Sequence, residues 1–331
     1  MTGGLGFIGR HLIERLRVDL PAATIAVYDG RISYEPDAGI ASEERRQRER
    51  RVREEADVFV GDLLDPAEII RVTRLLRPTH VVHLAAVPIA SLASERPRWV
   101  VEMNVGGTLS LLQALSSVSA TLRRFVFFSS SFVYGHFKTE PIGEDAPCAP
   151  IDLYGGSKLV GEQLVRAFCG QTGAESVVIR PSAVYGPEDT NRRVIQRFVE
   201  AAFDGRALRI HSNASPLDFT YVGDLAAGAS LALRATAARD QVLNLTAGGS
   251  HSLDEVVRLL GGHFLDLKTQ RVEGGAATPR RGQLDITRAR ELLGYRPQYA
   301  LDEGLSLYVE DLASRREGLA PPASAATGLG A

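Results

Sequence analysis

The sequence predicts an α/β fold in which helices cover both faces of a doubly wound parallel sheet. Three observations lead to this prediction. Short, nearly uninterrupted apolar segments alternate with amphipathic ones through the first 181 residues; a glycine-rich turn opens the first amphipathic segment; and acidic or serine residues end several apolar segments. Strands that are buried on both faces have this composition because a layer of helices packs on each side.

The elements follow one another in a regular order. A helix from Phe7 to Val18 begins at the glycine turn, and its apolar residues recur at helical spacing. We predict strands at residues 23–30, 57–63, 80–86, 123–131 and 176–181, and helices near 66–76, 99–115 and 153–170. The charged run 42–57 is predicted to be a solvated helix or loop without a nucleic-acid function, because its glutamates offset its arginines.

Two domains are predicted. Residues 1–181 form the first, NAD-binding domain, to which residues 217–246 return as strand, helix and strand. The segments 182–216 and 247–315 remain for a smaller, interleaved domain that binds substrate. Residues 316–331 are rich in Ala, Gly and Pro without periodicity, so we expect a disordered tail.

Composition excludes several classes of protein. A net charge of -2 in 331 residues argues against nucleic-acid and membrane-surface binding. Cys148 and Cys169 are too few for a disulfide framework, and the seven histidines show no close metal-binding spacing. No apolar segment approaches the roughly 20 residues that span a bilayer. We therefore expect a cytoplasmic protein without a metal.

A dinucleotide site is indicated by the turn that contains Gly3, Gly6 and Gly9. A side chain there would block the approach of a pyrophosphate to the backbone N–H groups and to the helix N-terminus, as in Rossmann-type folds. Phe7 and Ile8, within the same turn, are also predicted cofactor contacts. The motif alone also fits a simple tight glycine turn.

The next strand supplies a second indication. Asp29 ends it about 20 residues after Gly9, the position of an acid that binds the adenosine ribose hydroxyls. A carboxylate there repels a 2′-phosphate, which favours NAD over NADP, although Arg31 offers an alternative phosphate ligand.

The ends of the next two predicted strands add residues to the predicted cofactor site. Asp62 and Leu63 are placed to meet the adenine, although Asp62 is equally suited to cap a helix. Leu84, Ala85 and Ala86 end the following strand, and small residues there allow the backbone to approach a cofactor closely.

Tyr154 and Lys158 lie four residues apart near the start of a predicted helix, so they share one face. An ammonium beside a tyrosine favours the phenolate and brings its pKa of about 10 toward neutrality. The spacing alone also fits an exposed pair, but here it follows a serine run that ends a strand at the carboxyl edge of the sheet, where ligands bind.

Taken together and in order, these motifs resemble the extended short-chain dehydrogenase/reductase family, in its NAD-dependent sugar epimerase/dehydratase branch, which includes proteins like UDP-glucose 4-epimerase. The resemblance covers about residues 2–310. Its motifs are the glycine turn, Asp29, "HLAA", "NVGGT", the serines before "VYG", "YGGSK", "IRPSAVYGP" and "LDITRARELLGYRP".

The resemblance implies a role for each active-site residue. Tyr154 is the catalytic base, and Lys158 holds the nicotinamide ribose and tunes Tyr154. Ser130 binds the reacting hydroxyl, with Ser131 as the close alternative, and Asn104 is an orienting residue beside the cofactor.

The resemblance also ranks the reactions. Dehydratases of the family carry an Asp-Glu pair after the active-site threonine, and decarboxylases a glutamate before "VYG", whereas Ser131 and Phe132 occupy these places here. Neither side chain shuttles protons as a carboxylic acid does. An NAD-dependent epimerase is therefore favoured over a dehydratase or decarboxylase. A simple dehydrogenase or ketoreductase would use the same residues and release its cofactor, so it is the second candidate. Ser130, Tyr154 and Lys158 argue against a non-catalytic NAD-binding regulator or scaffold.

A nucleotide sugar is the expected substrate, although Ala183 and Leu217 stand where the family often has an Asn and an Arg that bind it. We predict that substrate is bound by Ser131 and by arginines that approach from other directions, namely Arg192, Arg193 and Arg281, with Arg280 as a further candidate. The family also implies a homodimer built on helices 99–115 and 153–170.

No apolar segment precedes the glycine turn, although this fold has a strand there, between the strands that end at Asp29 and Ala86. We therefore expect that the first strand is missing from the sequence. We expect that about five to eight apolar residues precede Thr2 in the natural chain.

Overall fold

The computed structural model describes residues 1–31, 40–191, 193–273 and 279–319. Its strands are β1 (Ala26–Asp29), β2 (Asp57–Val60), β3 (His80–His83), β4 (Arg124–Phe128), β5 (Glu175–Arg180), β6 (Val184–Tyr185), β7 (Leu208–His211), β8 (Thr220–Tyr221), β9 (Gln241–Asn244) and β10 (Thr269–Val272).

The helices alternate with these strands in the first domain, as the sequence predicts. They are α1 (Phe7–Asp19), α2 (Ile40–Glu55), α3 (Pro66–Leu76), α4 (Ala90–Glu95), α5 (Pro97–Val101), α6 (Gly107–Ser116), α7 (Leu153–Thr172), α8 (Val194–Phe203), α9 (Val222–Arg234), α10 (Leu253–Leu260), α11 (Thr287–Leu293) and α12 (Leu301–Leu319).

The main sheet is parallel throughout. β1 pairs with β2, and β3, β4, β5 and β9 follow one another in a second ladder. Thr2 joins the two ladders, because it forms parallel bridges to Tyr28 on β1 and to His83 on β3. The glycine turn therefore starts at the middle of the sheet, where the strand order reverses, which is where ligands bind in open α/β folds.

Helices cover both faces of this sheet, which confirms the predicted α/β fold. Along β4, Phe125 and Phe127 pack on one face with residues of α3, α6 and α7. Val126 and Phe128 pack on the other face with residues of α1, α9 and α11. A strand whose alternate side chains are both buried is the expected centre of a sheet between two helical layers.

A smaller set of elements packs around its own apolar core beside the carboxyl edge of the sheet. It contains α8, α10 and α12 together with β7, which pairs in parallel with β10. α9 packs against α1, and β9 pairs with β5, so residues 222–244 return to the first sheet. α11 also packs there, against α9 and β9.

Two further features bear on the sequence expectations. The predicted helix 99–115 is divided into α5, a π-helical turn at Glu102–Gly106 and α6. α12 continues to Leu319, and residues 320–331 of the expected tail lie outside the described residues. In the described part of the chain, no helix is both long and apolar enough to cross a membrane.

Candidate active site

The glycine turn has the geometry of a pyrophosphate cradle. Gly3 has φ +71°, and a Cβ there would stand 2.6 Å from the backbone nitrogen of Ala85. A Cβ on Gly9 would stand 2.7 Å from the carbonyl oxygen of Gly3. α1 begins directly after the turn without a side-chain cap, so its first N–H groups remain available for an anion.

A cavity of about 420 Å³ opens above this turn. It brings together most of the residues predicted to bind the cofactor: Gly3, Gly6, Phe7, Ile8, Gly9, Asp29, Asp62, Leu63, Leu84, Ala85 and Ala86. These residues come from α1, from the ends of β1 and β3, and from the segment after β2. Asn104, Tyr154 and Lys158 do not line this cavity.

Asp29 lines this cavity and is held by two backbone N–H groups. One carboxylate oxygen accepts the N–H of Leu5 at 3.0 Å, and the other accepts the N–H of Arg31 at 2.8 Å. Burial raises the pKa of Asp29. The Arg31 guanidinium pairs with Glu49, so this alternative phosphate ligand is already neutralised.

Asp62 lines the cavity and does not cap α3. Its carboxylate accepts the N–H of Leu64 at 2.8 Å. The N-cap of α3 is Asp65, which accepts the N–H groups of Ala67 at 3.0 Å and Glu68 at 3.3 Å. The capping alternative for Asp62 is therefore excluded.

Tyr154 lies at the start of α7, whose N-cap is Asp152. The Asp152 carboxylate accepts the N–H of Gly155 at 2.8 Å, which fixes the first turn of the helix. Only 8% of Tyr154 is exposed. Ser130 lies just beyond the end of β4, where its hydroxyl accepts the N–H of Phe132 at 3.3 Å and is near enough to the Tyr154 side chain to act on the pKa of that tyrosine. The structure thus brings the predicted serine and tyrosine together.

Lys158 lies one turn further along α7. Its Nζ donates to the carbonyl oxygen of Phe128 at 2.8 Å and lies 5.2 Å from the centre of the Phe127 ring. Burial lowers the pKa of Lys158 to about 8, and the nearby Glu162 opposes this shift.

The pKa of Tyr154 differs from the sequence expectation. Burial raises the pKa of Tyr154, whereas the nearby Ser130 hydroxyl and the charges of Arg193 and Arg281 act to lower this pKa. Removal from water penalises the phenolate more than these groups stabilise it. The sequence led us to expect a lowered pKa for Tyr154, and this expectation is wrong for the chain by itself.

The sequence reasoning missed an ion pair behind Lys158. Glu162 is fully buried, and its carboxylate accepts two hydrogen bonds from Arg180, at 2.7 and 2.9 Å. Ser129 also donates to it. A signal existed, because Tyr154, Lys158 and Glu162 recur every four residues and so share one face of α7.

Asn104 lies in the π-helical turn and is buried. Its side-chain oxygen accepts the N–H of Val87 at 2.7 Å, and its amide donates to the Ser157 hydroxyl at 3.0 Å. It therefore joins the segment after β3 to α7, and its role as an orienting residue stays a prediction.

The predicted substrate-binding residues differ in their surroundings. The Ser131 hydroxyl is buried without a hydrogen-bond partner in the described chain. Arg193 lines the glycine-turn cavity and lies 3.3 Å from Asp189. Arg281 lies 4.4 Å from the centre of the Phe132 ring, and its Nε is buried without a partner among the described residues. Arg192 lies outside the described residues.

A second cavity, of about 460 Å³, lies between the segment after β3 and the smaller core. Its lining comprises Ile89, Ser91, Asn191, Arg197, Phe198, Glu200, Ala201, Arg206, Ala207, Leu208 and Arg209. Arg206 pairs with Asp204 at 2.7 Å. No local pattern in the sequence indicates this group, because its members come from α4, α8, β7 and three loops.

Comparisons with known proteins agree with this geometry. The model of the NAD dependent epimerase/dehydratase family matches residues 1–246. A Bacillus subtilis strain 168 protein described as an uncharacterized UDP-glucose epimerase, YtcB, is 28% identical over 329 residues, which are 96% of this chain and 98% of the relative. UDP-glucuronic acid decarboxylase 1 of Xenopus tropicalis is 27% identical over 322 residues, which are 92% of this chain and 70% of the relative.

A solved structure extends the comparison to the whole fold. Thermus thermophilus UDP-glucose 4-epimerase in complex with NAD has a TM-score of 0.82 and 26% sequence identity. The match covers 94% of this chain and 97% of the other.

Proposed function

The chain belongs to the NAD-dependent epimerase/dehydratase family, and within it we propose that the protein is an epimerase that acts on a nucleotide sugar through a transient keto intermediate. The observation that carries the proposal is the placement of Ser130, Tyr154 and Lys158 without a carboxylic acid at positions 131 and 132. Epimerisation requires this set of side chains and no further acid.

The chemistry assigned to these side chains is proton transfer and orientation. When bound, NAD supplies a hydride acceptor and donor next to the reacting carbon. Ser130 holds the reacting hydroxyl, and Tyr154 removes its proton as the carbonyl forms and returns it when the keto sugar is reduced from its other face. Lys158 stabilises the phenolate of Tyr154 through its charge.

Dehydration and decarboxylation, two other reactions of the family, need a carboxylic acid that is absent at positions 131 and 132. Phe132 offers no proton, and its ring meets that of Tyr154 edge-to-face at 5.4 Å. Ser131 offers a hydroxyl whose pKa is unsuited to acid catalysis at neutral pH. A simple dehydrogenase or ketoreductase would use the same residues as the epimerase but would release its cofactor after each turnover, so it is the second candidate.

A nucleotide sugar is supported by cationic groups around the reacting end. Arg281 lies against the Phe132 ring, and its Nε is buried without a hydrogen-bond partner among the described residues. A buried N–H without a partner is costly, and an anionic group of the substrate would relieve that cost. Arg197 and Arg209 line the second cavity without an ion pair in the described chain, and they offer further charge for a diphosphate.

We also propose that the protein forms a homodimer. Val101, Leu109, Leu153 and Val160 are exposed apolar residues on α5, α6 and α7. α7 packs against both α5 and α6, so these side chains belong to neighbouring helices. Covering them with the same helices of a second copy would remove this apolar surface from water.

Purified protein and a set of nucleotide sugars test the proposal. We expect the epimer of one such sugar to accumulate without added reductant, and Tyr154→Phe to abolish its formation. If wild-type protein gives neither a product nor a transient NADH absorbance, and Tyr154→Phe changes nothing, the enzyme proposal fails. A non-catalytic NAD-binding regulator would then be favoured.

A further inference from the structure

The loop of residues 186–191, between β6 and α8, borders the glycine-turn cavity. Thr190 and Asn191 line the cavity, as does Arg193 directly after the loop. The Arg193 guanidinium lies 5.7 Å from the centre of the Phe7 ring, in the first turn of α1. The loop therefore lies beside the pyrophosphate end of the NAD site, opposite the glycine turn.

Helices α1 and α2 hold this loop in place through its backbone. The ring Nε2 of His11 donates to the carbonyl oxygen of Pro187 at 3.0 Å. Arg48 of α2 is only 3% exposed, and its Nη2 donates to the carbonyl oxygen of Glu188 at 2.9 Å. Nη1 of Arg48 donates to the carbonyl oxygen of Leu5 at 3.3 Å. One guanidinium thus bridges the glycine turn and the loop.

The Glu188 side chain is a second anchor. It is buried, and its Oε2 lies 3.4 Å from Nε of Arg10 and 3.5 Å from Nε of Arg48. These two contacts are ion pairs without aligned hydrogen bonds, whereas Arg51 donates a hydrogen bond to Oε1. Three arginines from α1 and α2 therefore surround one carboxylate of the loop.

The backbone at Glu188 also indicates that the loop is held. Its φ is +66°, a left-handed backbone conformation that residues with a Cβ rarely adopt. Such a conformation persists where surrounding contacts determine it. Here those contacts are the arginines around Glu188.

The charged run 42–57, which the sequence predicts to be solvated, lies largely in α2 and contacts the loop with one of its sides. One side of α2 is solvated, since Arg50 is exposed and pairs with Glu43. The other side carries Arg48 and Arg51, whose charges meet the loop. α2 therefore connects the loop to the NAD-binding domain.

We propose that Glu188 and Arg48 are positioning residues that fix the 186–191 loop beside the glycine turn and slow the release of NAD. Moving the loop away would separate a buried carboxylate from its arginines, which disfavours opening. The inference rests on the proposed function, because an epimerase must keep its cofactor between oxidation and reduction of the substrate, whereas a dehydrogenase must release it.

The test measures NAD release from the full-length protein in the absence of sugar. Protein loaded with radiolabelled NAD is mixed with excess unlabelled NAD, and the label that remains bound is followed over time. We expect Glu188→Gln to release NAD about tenfold or more faster than wild type, since changes to an interface act mainly on dissociation rates. Arg50→Met, on the solvated side of α2, is the matched control and should release NAD at the wild-type rate.

A second variant keeps the test decisive if Glu188→Gln fails to fold. Arg51→Met removes the hydrogen-bonded arginine, whose side chain is 42% exposed, and should accelerate release several-fold. Unchanged release from every folded variant of Glu188 and Arg51 overturns the inference. This outcome is distinct from failure of the proposed function, which is judged by product formation in wild type.

Discussion

The guanidinium of Arg281 lies 4.4 Å from the centre of the Phe132 ring. This stacking is a cation–π contact, and the Nε of the guanidinium is buried without a hydrogen-bond partner in the described chain. Burial accordingly lowers the pKa of Arg281 to about 10, which still leaves the side chain charged at neutral pH. Because the same Phe132 ring contacts Tyr154, the charge lies close to the proposed catalytic base.

Replacing Arg281 therefore tests how the substrate is bound. We expect Arg281→Met to raise KM for the nucleotide sugar by about 10- to 100-fold, since a hydrogen bond to a charged group contributes about 1.5–3 kcal/mol. kcat should fall less, because Ser130 and Tyr154 remain. Steady-state kinetics measure both constants. Arg290→Met, on an exposed residue of α11, is the control, and an equal KM for the two variants would contradict the assignment.

The ion pair between Glu162 and Arg180 should contribute strongly to stability. Glu162→Gln leaves a buried arginine without its counter-charge, and we expect a loss of about 3–5 kcal/mol in the free energy of unfolding. Urea unfolding measures this loss. Glu68→Gln breaks the exposed pair with Arg71 and should have little effect. A loss no greater than that of Glu68→Gln would show that the buried pair does not stabilise the fold.

His83 should make stability depend on pH. Its ring Nε2 contacts the Thr108 hydroxyl at 2.9 Å, and this hydroxyl already donates to the Asn104 carbonyl. Nε2 therefore carries the proton, and Nδ1 accepts from Thr2. Burial lowers the pKa of His83 to about 3. Between that value and about 6.5, the unfolded chain binds a proton that the folded chain does not, so stability rises with pH and is lost as pH falls.

The expected size of this effect is about 1.4 kcal/mol per pH unit below the unfolded pKa. Urea unfolding at pH 7.5 and pH 5 measures it, and His83→Gln should lose less stability over this interval than wild type. Equal losses in the two proteins would mean that His83 is not held neutral by the fold.

The apolar residues on α6 and α7 predict the outcome of a surface substitution. Val160→Arg places a charge in the proposed dimer interface, so we expect the mass measured by light scattering to fall from two chains to one. Leu265→Arg changes a fully exposed residue of the smaller domain and serves as the control. A monomer already in the wild type, or a dimer in Val160→Arg, would contradict this interface.

Much of the fold follows from local patterns in the sequence. The apolar strands predict the sheet because each is only a few residues long and buried on both faces, as the side chains of Phe127 and Phe128 illustrate. The glycine turn and Asp29 predict the NAD site because their spacing is set by one strand–helix–strand unit. The family assignment and the cofactor are confirmed by the family match.

Features that depend on distant segments could not be predicted in this way. Glu188 meets Arg51 across 137 residues of sequence, so no local pattern indicates that α2 holds the loop. The raised pKa of Tyr154 depends on its burial, which spacing to Lys158 does not reveal. The second cavity likewise combines α8 and β7 with segments far apart in the chain.

The central claim is that the protein inverts one carbinol centre of a nucleotide sugar and retains its cofactor. The most direct measurement takes nucleotide sugars that carry deuterium at the carbinol carbon under test and follows them by NMR and absorbance together. We expect the epimer of one of them to form with its deuterium retained, no net NADH in solution, and complete loss of the reaction in Tyr154→Phe. Stoichiometric accumulation of a keto sugar with NADH released into solution would contradict the claim.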